Sequence, residues 1–379
     1  MVSFIVLLCL ALLVAGVIAH MATLMAALVS ISRKDTASAI TGTPGISVLR
    51  PVCGLENNLE ETLRSTFLTT YAGKVELLFC CDRADDPVVP LVNRLIAEYP
   101  QIDARLLIGV DKVSGNPKLN NLVKGWAAAQ YDYILMADSN VLLPPDYLER
   151  LVARWTKGTG LVTSPPAGIR ADNLWGVLET AFLNTYQGRF QLASDAVGNG
   201  FAQGKMLFWR RDICEAGGGL AALGRDMAED VASTKLVRSR GLKVRLLGDL
   251  LPQPVGSRNL PEVWKRQVRW AKVRRMGFAG LYAAEILSGI FAPLLAAIIL
   301  AAVGAVGWLT VPALVITWFV AEWAFARLAG WPATFTDVLM WFLRDMMIPV
   351  IWTQGWIGKG FEWRGNAMSA QDVPEKARG

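Results

Sequence analysis

YILMADSN, Tyr133 to Asn140, is a run of five apolar or aromatic residues that stops at Asp138 and Asn140. A short apolar run with an abrupt polar end reads as a buried strand entering a turn. Six more such runs lie between Ile46 and Leu251: ISVLR (Ile46 to Arg50), VELLFCCD (Val75 to Asp82), ARLLIG (Ala104 to Gly109), LVTS (Leu161 to Ser164), KMLFWR (Lys205 to Arg210) and KVRLL (Lys243 to Leu247). Amphipathic stretches separate them. Asn58 to Thr69 has apolar residues at helical spacing behind an Asn cap, and Pro87 to Tyr99 behaves likewise. Strands alternating with helices predict an α/β domain.

Two of these strands end in aspartate, at Asp82 and Asp138. Ligands of open α/β sheets collect at the carboxyl ends of strands. Taken singly, each Asp reads first as a cap or turn residue. Asp138 and Asn140 leave the strand on alternate residues, so both oxygens can face one side of the turn. That pair suits a hard cation, Mg²⁺ or Mn²⁺, completed by substrate phosphates. A third acidic site lies in MAEDVASTKLVRSRG, where a helix is predicted over Ala228 to Arg238 with Glu229 and Asp230 in its first turn. The macrodipole favours anions there, which is one reading. The other makes Asp230 a general base.

Composition narrows the chemistry. The 379-residue chain has a single histidine, His20, inside an uncharged N-terminal run from Met1 to Val29. A histidine-based metal site, a Ser-His-Asp triad and a histidine base are thereby excluded elsewhere, and acid-base work falls to carboxylates, lysine or tyrosine. The five cysteines, Cys9, Cys53, Cys80, Cys81 and Cys214, show neither zinc spacing nor a secreted framework and read as reduced thiols.

A chain that is 53% hydrophobic is too apolar for an ordinary soluble enzyme. Met1 to Val29 is long enough to span a bilayer, lacks a charged leader, and is followed by Arg33 and Lys34, which predicts an uncleaved anchor with the following domain cytoplasmic. A second apolar block runs from Phe278 to Trp356, with spans expected near Ala283 to Trp308 and Val311 to Ala329. Phe335 to Trp356 carries Arg344 and Asp345 near its middle, so it should be protein-facing, re-entrant or interfacial. Between domain and block lies KRQVRWAKVRR, Lys265 to Arg275, with six positive charges in eleven residues. A helix over Leu260 to Met276 would set Trp264, Val268, Ala271 and Arg275 on one face and its cations near lipid headgroups. Gln267, Arg269 and Trp270 add a polar amide, a fork-shaped cation and a flat ring, suited to a diphosphate. With a net charge of only +6 and no recognised module, a nucleic-acid partner is not expected.

Asp82, Asp138, Asp230 and Gln267-Val268-Arg269-Trp270 together resemble the D, D, D, Arg-Trp series of inverting GT-A glycosyltransferases. RPVCGLENNLEETL, CDRADDP, NPKLNNL, ADSNVLLPPDYL, AEDVASTKLVRSRG and RQVRWAKVRR are similar to stretches of ceramide glucosyltransferases, and the likeness covers nearly the whole chain. The resemblance implies a GT-A nucleotide-diphospho-sugar transferase domain with a mixed sheet, plus N- and C-terminal transmembrane helices. It implies transfer of glucose from UDP-glucose to the primary hydroxyl of ceramide with inversion. Asp82 would hold the uridine part, and Asp138 the metal and diphosphate, with Asn140 a weaker metal ligand. Lys118 would lie near the nucleotide, and Asp230 would be the base. Gln267, Arg269 and Trp270 would hold pyrophosphate and the acceptor end. Gln187 stands where the eukaryotic enzymes carry a histidine, and Asn140 where many relatives carry a second acid. The expected layout is an anchor at 1–32, a cytoplasmic catalytic domain at 43–257, an interfacial helix at 258–280, membrane helices at 281–358 and a cytoplasmic tail at 359–379. A multi-pass protein of the bacterial inner membrane follows. The alternatives are another UDP-sugar, another membrane lipid such as a hopanoid or diacylglycerol, or a processive polysaccharide synthase, which the small membrane block disfavours.

Overall fold

The computed structural model describes residues 2–33, 38–358, 360–363 and 366–369. Lys34 and most of the tail expected at 359–379 lie outside them. The chain divides into two units: one of residues 32–167, 197–256 and 359–379, the other of residues 1–31, 168–196 and 257–358.

All seven strands expected from the sequence are present in the first unit. They are β1 (Ile46–Pro51), β2 (Val75–Cys81), β3 (Asp103–Ile108), β4 (Tyr133–Ala137), β5 (Thr159–Thr163), β7 (Met206–Arg210) and β8 (Lys243–Leu246), with β6 (Pro166–Ala171) and β9 (Leu251–Gly256) outside their sheet. The order is β3-β2-β1-β4-β7-β5-β8, parallel except for β7, which runs antiparallel to both its neighbours. Near-continuous apolar strands such as Leu77–Cys81 and Ile134–Ala137 are fully buried, as expected of strands covered on both faces. The helix after Asn58 is shorter than expected, Leu59–Arg64 followed by a 3₁₀ turn. Asn58 does not cap it with its side chain, because its backbone sits in the left-handed region at φ 57°.

The second unit is helical. Ser3–Ser32 and Thr310–Leu328 are each long and apolar enough to cross a membrane. Where one span was expected near Ala283 to Trp308, the chain forms two helices, Ala279–Leu287 and Phe291–Ala302, bent by 43°. At the bend another helix makes close contact. Asp345 Oδ2 accepts from the Ile290 N–H at 2.9 Å, and a Cβ at Gly289 would stand 2.9 Å from the same carboxyl carbon. Helix Phe335–Trp356 buries both of its central charges. Arg344 meets Glu322 Oε1 and Asp345 Oδ1 at 2.8 Å each and donates to Thr185 Oγ1 at 2.5 Å. His20 stacks on Trp318 at 3.7 Å and shares its Nδ1 with Arg189.

Residues 168–196, expected within the catalytic domain, group with these apolar helices. Leu178, Phe182 and Tyr186 pack with Val263, Ala271, Ile348 and Ile351, so the apolar surface of that segment is satisfied there. Phe182–Gly188 within it is a π-helix. The basic helix spans Leu260–Gly277 behind a capping box of Asn259 and Glu262. Its fully buried stripe is Val263, Gln267 and Ala271 at i, i+4 and i+8, offset by one position from the face expected through Trp264 and Val268. Several of its cations are used internally: Arg266 pairs with Glu179 at 2.7 Å, Arg274 with Glu285 at 2.8 Å, and Arg275 lies over Trp356.

Candidate active site

The site in the first unit is built at the carboxyl ends of β1, β2 and β4. Parallel pairing of β2 with β1 and β1 with β4 puts Asp82 and Asp138 at the same edge, one strand apart. At the usual strand spacing that is about 10 Å. Antiparallel β7 brings a distant segment to Asp138, with Ala137 opposite Met206, so that the Asp138 N–H donates to the Lys205 carbonyl at 3.0 Å. The turn after β4 is held from below by buried Arg50, whose Nη2 donates to the carbonyls of Ser139 and Val141 at 3.2 Å each.

Asp138 sits between two ammonium groups. Lys118 Nζ lies 2.7 Å from Oδ1, and Lys205 Nζ lies 3.1 Å from Oδ2. Burial alone would raise its pKa, but the two lysines pull it down to about 2, so it stays ionised throughout the neutral range. Lys118 is itself buried, which disfavours its charge, yet Asp138 and Glu229 overcome that and hold it above the usual lysine range. Its other contacts are Glu229 Oε1 at 2.7 Å and the Gly204 carbonyl at 2.5 Å.

Each polar residue of NPKLNN has a separate task. Asn116 caps helix Pro117–Ala128 through the N–H groups of Lys118 and Leu119 and donates to Glu229 Oε2 at 2.7 Å. Asn120 Oδ1 accepts from Val113 and Ser114 N–H at 3.0 Å, and Asn121 donates to the Cys80 carbonyl at 2.7 Å, steadying the end of β2. Lys118 is thereby delivered to the site by a helix fixed at its first turn.

Asp230 opens helix Glu229–Ser239, as the sequence predicts. Its Oδ2 accepts from the Gly204 N–H at 2.9 Å and its Oδ1 from the Val231 N–H at 2.8 Å. Burial first, and then the neighbouring Glu229 carboxylate, push its pKa up to about 7 against the pull of the Gly204 N–H and Lys118. A carboxyl group poised near neutrality is what a general base needs. Gly204 lets the two acids approach: a Cβ there would stand 2.9 Å from Glu229 Oε1 and 3.4 Å from Asp230 Oδ2. Gly204→Ala should therefore displace Glu229 and, through it, Lys118, at about 1–3 kcal/mol of overpacking. A lowered melting midpoint together with a reduced kcat is the expected result.

Asp82 Oδ1 is buried with no hydrogen-bond partner among the described residues. Asp82 also lies near Cys53 and Asp86, whose ligand atoms all fall within 4.8 Å of one another. Asp86 is a structural member of that group, since its Oδ1 already accepts from Gly54 and Val88 N–H. An open concavity of about 940 Å³ lies nearby against Glu56, Glu60, Arg64 and Arg94 and holds none of the expected site residues.

Gln267, Arg269 and Trp270 belong to the second unit. Gln267 is 1% exposed and accepts from Gln187 Nε2 at 3.1 Å, while its own Nε2 has no partner among the described residues. It lines a small internal cavity with Tyr186, Arg274 and Glu285, about 10 Å³ being open to the centre of a water molecule. That is room for a single water. Arg269 and Trp270 are half-buried.

Sequence reasoning missed Lys205, which it placed in a strand without a role, and the Asn116–Glu229 link. The run NGFAQGKM offers little that would have marked Lys205; only the β4–β7 pairing puts it beside Asp138.

The backbone, a mixed sheet with one antiparallel strand among parallel ones, has the fold of the GT-A glycosyltransferases. It superposes on the mannosyltransferase PcManGT from Pyrobaculum calidifontis, solved in complex with GDP-Man and Mn²⁺, with a TM-score of 0.56 at 17% identity over 90% of this chain and 99% of that one. The chain belongs to glycosyl transferase family 21, whose model matches residues 7–375. It is 28% identical over 349 residues to ceramide glucosyltransferase 3 of Caenorhabditis elegans, covering 88% of this chain and 75% of the relative. With ceramide glucosyltransferase 1 of the same organism it shares 26% over 352 residues, again 88% and 75%. This protein is therefore an enzyme, a membrane-associated hexosyltransferase of the ceramide glucosyltransferase family.

Proposed function

We propose that the enzyme transfers glucose from UDP-glucose to the primary hydroxyl of ceramide in a single inverting displacement. The observation that carries this reading is Asp230: a carboxyl group raised to about 7 by burial and Glu229, held by two backbone N–H groups beside the lysine–Asp138 cluster. The acceptor oxygen attacks the anomeric carbon from the face opposite the leaving group, and its proton passes to Asp230. The bond between that carbon and the diphosphate oxygen breaks, its electron pair leaving with UDP. Lys118 and Lys205 face the charge that accumulates on the diphosphate. Asp82, whose buried Oδ1 has no partner among the described residues, accepts from a donor on the uridine part. Gln267, Arg269 and Trp270 keep the pyrophosphate and acceptor roles that the family resemblance assigns them.

The donor set also fits a divalent cation. Asp138 Oδ2 and Asn140 Oδ1 converge on one positive centre, the Lys205 ammonium, at 3.1 and 2.9 Å. Mg²⁺ or Mn²⁺ bound there would neutralise the diphosphate. Mn²⁺ accompanies the nucleotide sugar in the mannosyltransferase of similar fold. On this reading the catalytic unit works at the cytoplasmic face of a bacterial inner membrane, with the basic helix Leu260–Gly277 at headgroup depth. A membrane acceptor accounts for a catalytic fold joined to apolar helices.

A panel of UDP-glucose, UDP-galactose, UDP-glucuronic acid and UDP-N-acetylglucosamine against ceramide tests the reading. UDP-glucose should support transfer best; product formation only with a different sugar, or only with a hopanoid or diacylglycerol, would replace it. Because the base must be unprotonated, kcat/KM should be flat above about 7 and fall roughly tenfold per pH unit below it. A profile flat down to pH 5 would remove Asp230 from the role.

A further inference from the structure

We infer that Lys205 stands in the divalent-cation position, so that its ammonium and the metal compete for the same two oxygens. The metal then binds with the nucleotide diphosphate and not before it. This rests on the reading of Asp138 and Asn140 as the cation site.

Lys205 Nζ bridges Asp138 Oδ2 at 3.1 Å and Asn140 Oδ1 at 2.9 Å, the one carboxylate oxygen and the one amide oxygen that leave β4 on the same side. Its backbone is held in place. The N–H donates to Gln203 Oε1 at 2.6 Å, and the carbonyl accepts from Asp138 N–H at 3.0 Å. The side chain is only 12% exposed, so solvent does little to screen it. A dication between the same oxygens, at the roughly 2.0–2.2 Å such ions require, would fall inside the space that the ammonium fills. Charge points the same way. Asp138 already faces two ammonium groups, so a dication meets a carboxylate whose charge is more than offset unless something removes a lysine. A diphosphate supplies both the negative charge for the metal and a new partner for Lys205.

The test is a titration of the purified full-length protein in detergent with Mn²⁺, free ion being read from its magnetic-resonance signal, without sugar or acceptor. Wild type should bind weakly alone and more tightly once UDP is present. Lys205→Met should gain about tenfold or more in Mn²⁺ affinity without nucleotide, and a further Asp138→Asn change should erase that gain. Lys118→Met removes the same charge from the other oxygen of Asp138, and its gain should be clearly smaller. Unchanged affinity in Lys205→Met, or an equal gain in Lys118→Met, would overturn the inference. Lys205→Gln, neutral but able to donate to both oxygens, gives the same reading should the Met variant fail to fold. Failure of the sugar-transfer reading shows separately, as wild-type enzyme that transfers from none of the UDP-sugars.

Discussion

Asp230→Asn is expected to lower kcat by about 10²–10⁴, the range that a positioned general base contributes. An amide is nearly isosteric with the carboxylate but cannot take the acceptor's proton. The fold should survive, because the contacts that position residue 230 are to the N–H groups of Gly204 and Val231, one of which an amide oxygen still accepts. Asp138, Lys118 and Lys205 are untouched by the change, so affinity for UDP should stay within a few-fold of wild type. Calorimetric titration with UDP alongside single-turnover transfer separates the two effects. Near-normal turnover would exclude Asp230 as the base, and loss of UDP binding in step with turnover would make its role positional. Glu229→Gln offers a contrast. Removing the neighbouring charge should let the Asp230 pKa fall, moving the acid limb of the pH profile to lower pH while Lys118 loses one of its two carboxylate partners.

The largest effect on stability is expected at Arg344, in the second unit. Its guanidinium is 1% exposed and is shared between Glu322 and Asp345, which are 0% and 1% exposed. Removing one partner of a buried ion pair leaves uncompensated charge, and typical losses are about 3–5 kcal/mol. Arg344→Met leaves two such carboxylates and also frees Thr185 Oγ1 and the Ala181 carbonyl, both bonded to Nη1. A large drop in the melting midpoint in detergent is the expected outcome, with aggregation on heating. Adding Glu322→Gln and Asp345→Asn should restore much of it, since both acids become neutral and the new amide oxygen at position 345 can still accept from the Ile290 N–H. A midpoint unchanged in Arg344→Met would mean that the carboxylates reach water or protons by some route other than this network.

The stability network and the catalytic cluster are different solutions to one problem. In both, charge is removed from water and held by opposite charge. At Arg344 one guanidinium holds two buried carboxylates and serves folding. Around Asp138 and Asp230 the pairing is uneven: Asp138 is held at about 2 by two lysines, while Asp230, beside Glu229, is raised to about 7. Environments that push two carboxylates apart in this way separate an ever-charged ligand from a proton acceptor.

What the sequence determined by itself was local. The seven sheet strands, the helix opening at Glu229 and the basic helix could be read because hydrophobic period and turn residues act within a few residues of one another. Asp82 and Asp138 could be found for the same reason, as acids at strand ends. Tertiary structure alone decided which charges meet. Lys205 reaches Asp138 through antiparallel pairing across about seventy residues, Gln187 reaches Gln267 through a π-helix, and Arg344 finds Glu322 on another helix. It also decided that residues 168–196 join the apolar helices and that the span expected near Ala283 breaks where Asp345 accepts the Ile290 N–H. A periodic pattern states which face of an element is buried; the partner that completes a buried charge is set by where the chain returns, and nothing local records that.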